Sequence, residues 1–281
     1  MKLFSIETPR FRVDGGAMFG VVPKIMWSRY HKADENNMVE LACRALLIDD
    51  GQNRILVDTG LGDKMNFEEM KHYAADSRFS LINSLKSAGY KPEDISHVIN
   101  THYHFDHCGG NTCFDNNGNT VPAFKNAQYY ISKKQFHSAS EPNRREKPSF
   151  LTENFLPVQE AGKLTLLEQE NSITDNVSVR FFDGHTAGLM AVSVNYHGKK
   201  LIFTGDMLPA AAFVPLSWIS AYDIAPLTAL NEKQAFLEEA VLNDYTLFLQ
   251  HDEHHECASL KKTEKGIRIE NTFSLQEWLN N

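Results

Sequence analysis

Apolar residues come in short runs along this chain, each closed by Gly, Asp, Asn or another polar residue. Residues 41–48 and 54–58 are two β-rich runs. The connection Asp49-Asp50-Gly51-Gln52-Asn53 between them predicts a hairpin. Residues 79–88 carry apolar side chains at helical spacing, and Gly89 suits the C-terminal end of that helix. Strands are predicted at 98–99 and 127–132, the second running into a short helix at 133–138. In the second half, 177–182, 190–196, 200–204 and 246–249 are strand-like, with a turn at His197-Gly198-Lys199. Helices are predicted at 231–242 and 273–279. Residues 139–170 are polar and contain Pro142, Pro148 and Pro157, which predicts an irregular excursion over the surface. Strands interleaved with helices in both halves predict packed sheets with helices outside.

Composition narrows the class. The chain has 281 residues, 42% hydrophobic and 23% charged, as expected of a soluble globular protein treated as one domain, 1–281. Its net charge of −8 argues against nucleic acid as a partner, since phosphate backbones call for clustered Lys and Arg. Glu7, Arg10 and Arg12 break any apolar signal segment, and no run is long enough to span a membrane. The four cysteines, Cys43, Cys108, Cys113 and Cys257, are expected as reduced thiols in a cytoplasmic protein.

The densest chemistry lies at 101–110, Thr-His-Tyr-His-Phe-Asp-His-Cys-Gly-Gly. Three imidazoles and a carboxylate fall within six positions: His102, His104, Asp106 and His107. In an extended segment residues i and i+2 point the same way, so His102 and His104 can hold one ion. A turn after Phe105 would carry Asp106 and His107 toward a second. Further candidate ligands follow apolar runs at His185, Asp206 and His251. Strand ends of this kind can assemble a site on a rigid frame. His31, His72, His97, His137 and His197 are left outside the site, and His254 and His255 are expected in a solvated loop.

This ordered set resembles the metallo-β-lactamase superfamily, from about residue 39 to residue 252, with Asp58-Thr59-Gly60 similar to the family's early turn. The resemblance implies an α/β (α+β) fold, a four-layer αββα sandwich of the metallo-β-lactamase type. It implies two divalent metal ions, with zinc expected and manganese, iron or cobalt suited to the same donors. His102, His104 and His185 would bind the first metal. Asp106, His107 and His251 would bind the second, and Asp206 would bridge them, so that Asp106 and Asp206 also shape the catalytic centre. A metal-bridging hydroxide would then attack an electrophilic carbon or phosphorus.

Within that family, the resemblance implies a branch. Asp206 stands where true β-lactamases lack a bridging carboxylate. His104 stands where oxygen-reducing di-iron members place Glu. Only thirty residues follow His251, too few for a glutathione-binding region. What remains are lactonases and related esterases, including methyl parathion hydrolase. Residues 14–24 are similar to a segment of quorum-quenching N-acyl-homoserine lactonases, expected as a loop beside the metals. Met18, Phe19 and Trp27, with Phe213 and Trp218, are expected to line an acyl pocket, with simple core packing as the alternative. The homoserine lactonases place a Tyr three residues past the bridging Asp, where this chain has Pro209; Tyr222 is the candidate replacement. The leading expectation is therefore a lactone or carboxylic-ester hydrolase acting on a small molecule. The alternative is a phosphotriester or phosphodiester hydrolase, and a third reading is a non-catalytic binding protein. No membrane partner is expected, and a homodimer stays open.

Overall fold

The computed structural model describes residues 1–65, 67–76 and 78–280. The chain forms two compact units, Met1–Phe11 with Cys43–Glu170, and Arg12–Ala42 with Asn171–Asn281.

The first unit holds a six-stranded sheet in the order Lys2–Ile6, Ala45–Asp49, Arg54–Val57, His97–Ile99, Gln128–Ser132, Leu164–Leu167. The first three strands pair antiparallel and the rest parallel. The predicted hairpin forms: the backbone N–H groups of Gln52 and Asn53 both donate to Asp50 Oδ1. Helix Leu81–Ser87 is capped by the Ser80 hydroxyl and starts two residues inside the predicted start. Leu81 and Leu85 sit on Leu47, Leu56, Val98 and Tyr129 in one buried core.

Two expectations for this part of the chain change. The run 41–48 is not one strand but two, Met38–Leu41 and Ala45–Asp49. The intervening residues bond elsewhere. Cys43 Sγ donates to the Asp106 carbonyl at 2.8 Å, and Arg44 Nε reaches Glu7 at 2.8 Å. Nor is 139–170 an irregular excursion. It contains helix Leu156–Glu160 and strand Leu164–Leu167, paired in parallel with Gln128–Ser132. Pro157 lies in the first helical turn, where its missing N–H is harmless, so it starts a helix rather than breaking one. Phe150, Phe155 and Val158 are buried, and Phe155 stacks on Tyr103 at 4.7 Å.

The second unit holds a seven-stranded sheet: Asn171–Thr174, Val177–Phe182, Leu189–Tyr196, Lys199–Phe203, Thr246–Phe248, Cys257–Thr263, Gly266–Phe273. Only Lys199–Phe203 and Thr246–Phe248 pair in parallel, and helix Pro226–Leu242 makes the connection such pairing needs. It begins five residues before the predicted 231, again with Pro in its first turn. His197 and Gly198 both take positive φ, +48° and +82°, the geometry of a tight hairpin turn. The last hairpin was not predicted. Its Lys-Lys-Thr-Glu-Lys stretch reads as polar loop, and Phe273 ends a strand instead of starting a helix. The terminal helix is Leu275–Asn280, opened by Ser274 and Glu277 bonded to each other's backbone N–H groups. Residues 14–24 are not an open loop. They form the short helix Gly15–Phe19 and enter a second, Lys24–Trp27.

Each unit is thus a sheet carrying helices, the mixed α/β class the pattern predicts. Among the described residues no helix is long and apolar enough to cross a membrane.

Candidate metal centre

The candidate ligands fall into two sets, one in each unit. In the first unit, pairing ends at Ile99 and the chain turns out of the sheet through Asn100 and Thr101, both buried. The amides of Asn100 and Asn111 bond each other at 2.9 and 3.2 Å, tying the two ends of the ligand loop. His102 and His104 lie side by side as the i, i+2 spacing predicts, with His102 Nε2 3.0 Å from His104 Nδ1. The expected turn after Phe105 is the short helix Phe105–Cys108, which carries Asp106 and His107. His107 Nε2 comes 3.6 Å from Asp106 Oδ2. All four candidate ligands are at most 8% exposed.

In the second unit, His185 sits in the turn between Val177–Phe182 and Leu189–Tyr196. That turn is anchored by Glu232, whose carboxylate accepts from the N–H groups of Asp183 and Gly184 at 2.8 and 2.9 Å. Asp206 lies on the 3₁₀ turn Gly205–Met207, just past strand Lys199–Phe203. His251 follows Thr246–Phe248, its N–H bonded to the Pro209 carbonyl at 3.0 Å. The two carboxylate oxygens of Asp206 face different imidazoles. Oδ2 is 3.2 Å from His185 Nε2, and Oδ1 is 3.1 Å from His251 Nε2.

Four of the five imidazoles are oriented through their other ring nitrogen. His107 Nδ1 meets Asp58 Oδ2 at 2.9 Å, and His185 Nδ1 meets Asp223 Oδ1 at 2.8 Å. His251 Nδ1 donates to the Ala42 carbonyl at 2.7 Å. His102 Nδ1 meets the Thr101 hydroxyl at 3.0 Å; His104 Nε2 has Glu146 nearby at 3.6 Å, beyond hydrogen-bond distance. A ring nitrogen so engaged leaves the opposite one, deprotonated, for a cation, the arrangement that metal-binding histidines use. Two donors on one tetrahedral zinc sit about 3.3 Å apart, given bonds of about 2.0–2.1 Å. The 3.0–3.2 Å separations within each set match that figure. Five imidazoles and two carboxylates therefore fit divalent cations.

Four supporting groups went unassigned in the sequence: Asp58, Thr101, Asp223 and the Ala42 carbonyl. Asp58 was visible in the Asp-Thr-Gly turn and Asp223 beside Tyr222, but a partner for a ligand's second nitrogen has no fixed spacing from that ligand. Tyr222 itself is 41% exposed. Met18, Phe19, Trp27, Phe213 and Trp218 all belong to the second unit and are all buried. Phe19 stacks on Trp27 at 5.0 Å and on Phe213 at 5.2 Å, with Trp218 edge-on at 6.2 Å. Lys233 secures that segment, its buried ammonium donating to the carbonyls of Phe213, Pro215 and Trp218. Burial draws the Lys233 pKa down to about 8. The four cysteines are free thiols, and burial pushes Cys108 well above the ordinary thiol range, which removes it as a nucleophile.

Backbone packing behind the first set is close. A Cβ on Gly109 would stand 2.0 Å from the Leu61 carbonyl oxygen. Gly109→Ala is expected to destabilise the fold by about 3 kcal/mol or more. Gly118→Ala, where a Cβ meets nothing within 4 Å and only the positive φ resists, should lose about 1 kcal/mol. Thermal melts of the two variants check this; equal losses would mean that the close approach is easily relieved.

Known proteins complete the picture. A curated N-acyl homoserine lactonase of Bacillus cereus is 24% identical over 178 residues, 59% of this chain. The match spans 63% of that relative, less than two thirds of its length. Among solved structures, a probable metal-dependent hydrolase from Staphylococcus aureus is 27% identical with a TM-score of 0.88, covering 97% of this chain and 96% of that one. AidC, a dizinc quorum-quenching lactonase, shares the fold at 19% identity and a TM-score of 0.77, covering 96% and 94%. The sequence pattern of the metallo-beta-lactamase superfamily matches residues 38–251. The chain belongs to the metallo-beta-lactamase superfamily.

Proposed function

We propose that this chain is a dinuclear metal-dependent hydrolase that opens lactones or carboxylic esters, N-acyl-homoserine lactones among them. His102, His104 and His185 hold one cation, Asp106, His107 and His251 a second, and Asp206 serves both. The observation that carries this reading is Asp206, whose two oxygens each face a different imidazole, His185 and His251, with the far nitrogen of each ring already engaged. Zinc suits the donors. When bound, a pair of divalent cations acidifies water and offsets the negative charge that develops on a substrate carbonyl.

The chain's own residues supply position. Asp58, Asp223 and the Ala42 carbonyl fix the ring orientations of His107, His185 and His251. The family pattern runs through both units, so the whole chain is taken as one functional domain. Tyr222 is the proposed phenol beside the substrate: it is partly exposed and adjoins Asp223, which holds His185. The buried stack of Phe19, Trp27, Phe213 and Trp218, with buried Met18 next to Phe19 in the chain, backs an apolar wall for an acyl tail. The same segment also exposes Val21 and Ile25. Free thiols fit a reducing cytoplasm.

The test is a hydrolysis screen of metal-replete protein against lactones, aryl esters and phosphotriesters. Homoserine lactones are expected to be turned over, and longer acyl chains better than short ones. Each buried methylene contributes about 0.8 kcal/mol, so two should raise kcat/KM roughly tenfold. Opening lactones without regard to tail length would keep the activity and remove the acyl wall. Hydrolysis of phosphotriesters alone would replace the reading with its alternative.

A further inference from the structure

The hairpin of Cys257–Thr263 and Gly266–Phe273 carries four cations near its tip, Lys261, Lys262, Lys265 and Arg268, against two acids, Glu264 and Glu270. In a chain of net charge −8 this is a local reversal of sign. Lys261 and Arg268 stand directly opposite each other across the ladder. Like charges in that position oppose strand pairing. Among the described residues none of the four cations makes an ion pair. The Arg268 guanidinium donates to its neighbour's carbonyl, Ile267 O, at 2.6 Å.

Alongside this hairpin, helix Pro226–Leu242 and residues 214–217 enclose a cleft of about 740 Å³. Such a volume suits a small molecule, for which sites run to roughly 300–1,000 Å³. The lining divides by chemistry. Val214, Leu216, Leu230, Leu237 and Val241 give an apolar floor, while Lys262, Lys265 and Arg268 stand on the hairpin side. Glu238 also lines the cleft, its carboxylate accepting from Gln234 at 3.1 Å.

We propose that this cleft binds a small anionic amphiphile, a fatty-acid-like carboxylate. Its chain lies on the apolar floor and its headgroup meets Lys262, Lys265 and Arg268. The argument is complementarity on both counts. The floor asks for hydrocarbon, and the cations, which repel one another and have no acid partner, ask for an anion. A neutral amphiphile would satisfy only the first. A multivalent phosphate would satisfy only the second.

Isothermal titration of the metal-replete full chain with decanoate and with decanol tests this. Decanoate is expected to bind once per chain, at least roughly tenfold tighter than decanol. The double variant K262E/R268E should weaken decanoate by roughly tenfold or more while leaving the thermal midpoint and substrate turnover unchanged. K265E alone should weaken it by a smaller factor, which covers the case in which the double variant folds poorly. Carboxylates also bind metals, so decanoate that binds all three chains equally sits elsewhere and overturns the proposal. Equal binding of decanol overturns it too. Co-sedimentation with phosphatidylglycerol vesicles without binding of monomeric decanoate would make the hairpin a membrane contact, and the small ligand would fall.

Discussion

Asp206→Ala is expected to lose more activity than any other single change at the centre while keeping its fold. Removing a group that merely supports a ligand typically reduces metal affinity or activity by about 10–100-fold. Asp206 is proposed as a ligand to both cations, so its loss should exceed that range, by roughly 10³-fold or more in turnover. The fold should survive because its turn is held by other groups. The Thr204 hydroxyl donates to the Leu208 carbonyl at 2.7 Å, and strand Lys199–Phe203 is paired on both sides. His185 and His251 keep their own anchors in Asp223 and Ala42. Metal content separates the explanations. The parent chain should carry two cations and the variant fewer, by elemental analysis of protein purified without chelator. A variant with full turnover means Asp206 is not the shared ligand. A parent that is fully active with one cation per chain removes the dinuclear reading altogether.

What was legible in the sequence follows a physical line. The candidate ligands stood out because metal chemistry restricts residue type, and because His102, His104, Asp106 and His107 are close in sequence. Their strands were legible because His97–Ile99 and Gln128–Ser132 carry buried β-prone residues, Val98 and Ile99 in one and Tyr129 and Ile131 in the other. The edge hairpin 257–273 was not, since its exposed face offers no apolar run to find. Helix Leu156–Glu160 was missed because proline was weighted as a breaker, although the first turn of a helix tolerates it. The split of 41–48 was hidden for another reason. Ala42 and Cys43 are apolar in sequence, yet their backbone and thiol atoms serve His251 and the Asp106 carbonyl. No periodicity encodes a bond to a residue sixty or two hundred positions away. The aromatic residues assigned to a pocket show the same limit. Sequence marks Phe19 and Trp27 as apolar, but only the fold shows that they stack on each other, fully buried.

Asp58→Asn is expected to fold and yet lose metal and activity, because the amide cannot satisfy the partners of the carboxylate. Asp58 is fully buried and accepts three bonds. Thr101 N–H meets Oδ1 at 2.7 Å, and the Thr101 hydroxyl and His107 Nδ1 meet Oδ2 at 2.7 and 2.9 Å. An asparagine of the same shape can accept at one end only. With its NH₂ toward His107, the ring must accept at Nδ1 and carry its proton on Nε2, which removes the ligand atom. Turned the other way, two donors face each other at Thr101 N–H, a buried conflict worth about 1–3 kcal/mol. Backbone strain is not altered, since asparagine tolerates the left-handed φ of +58° as well as aspartate does. The wrong tautomer on His107 should weaken the second cation by about 10–100-fold and reduce turnover at least in proportion. Asp58→Ala should do the same and also lower the melting temperature, because it leaves buried donors without an acceptor. Metal stoichiometry, turnover and thermal melts on both variants decide the matter. If Asp58→Asn retains both cations and full activity, Asp58 supports the fold of the loop but does not position His107.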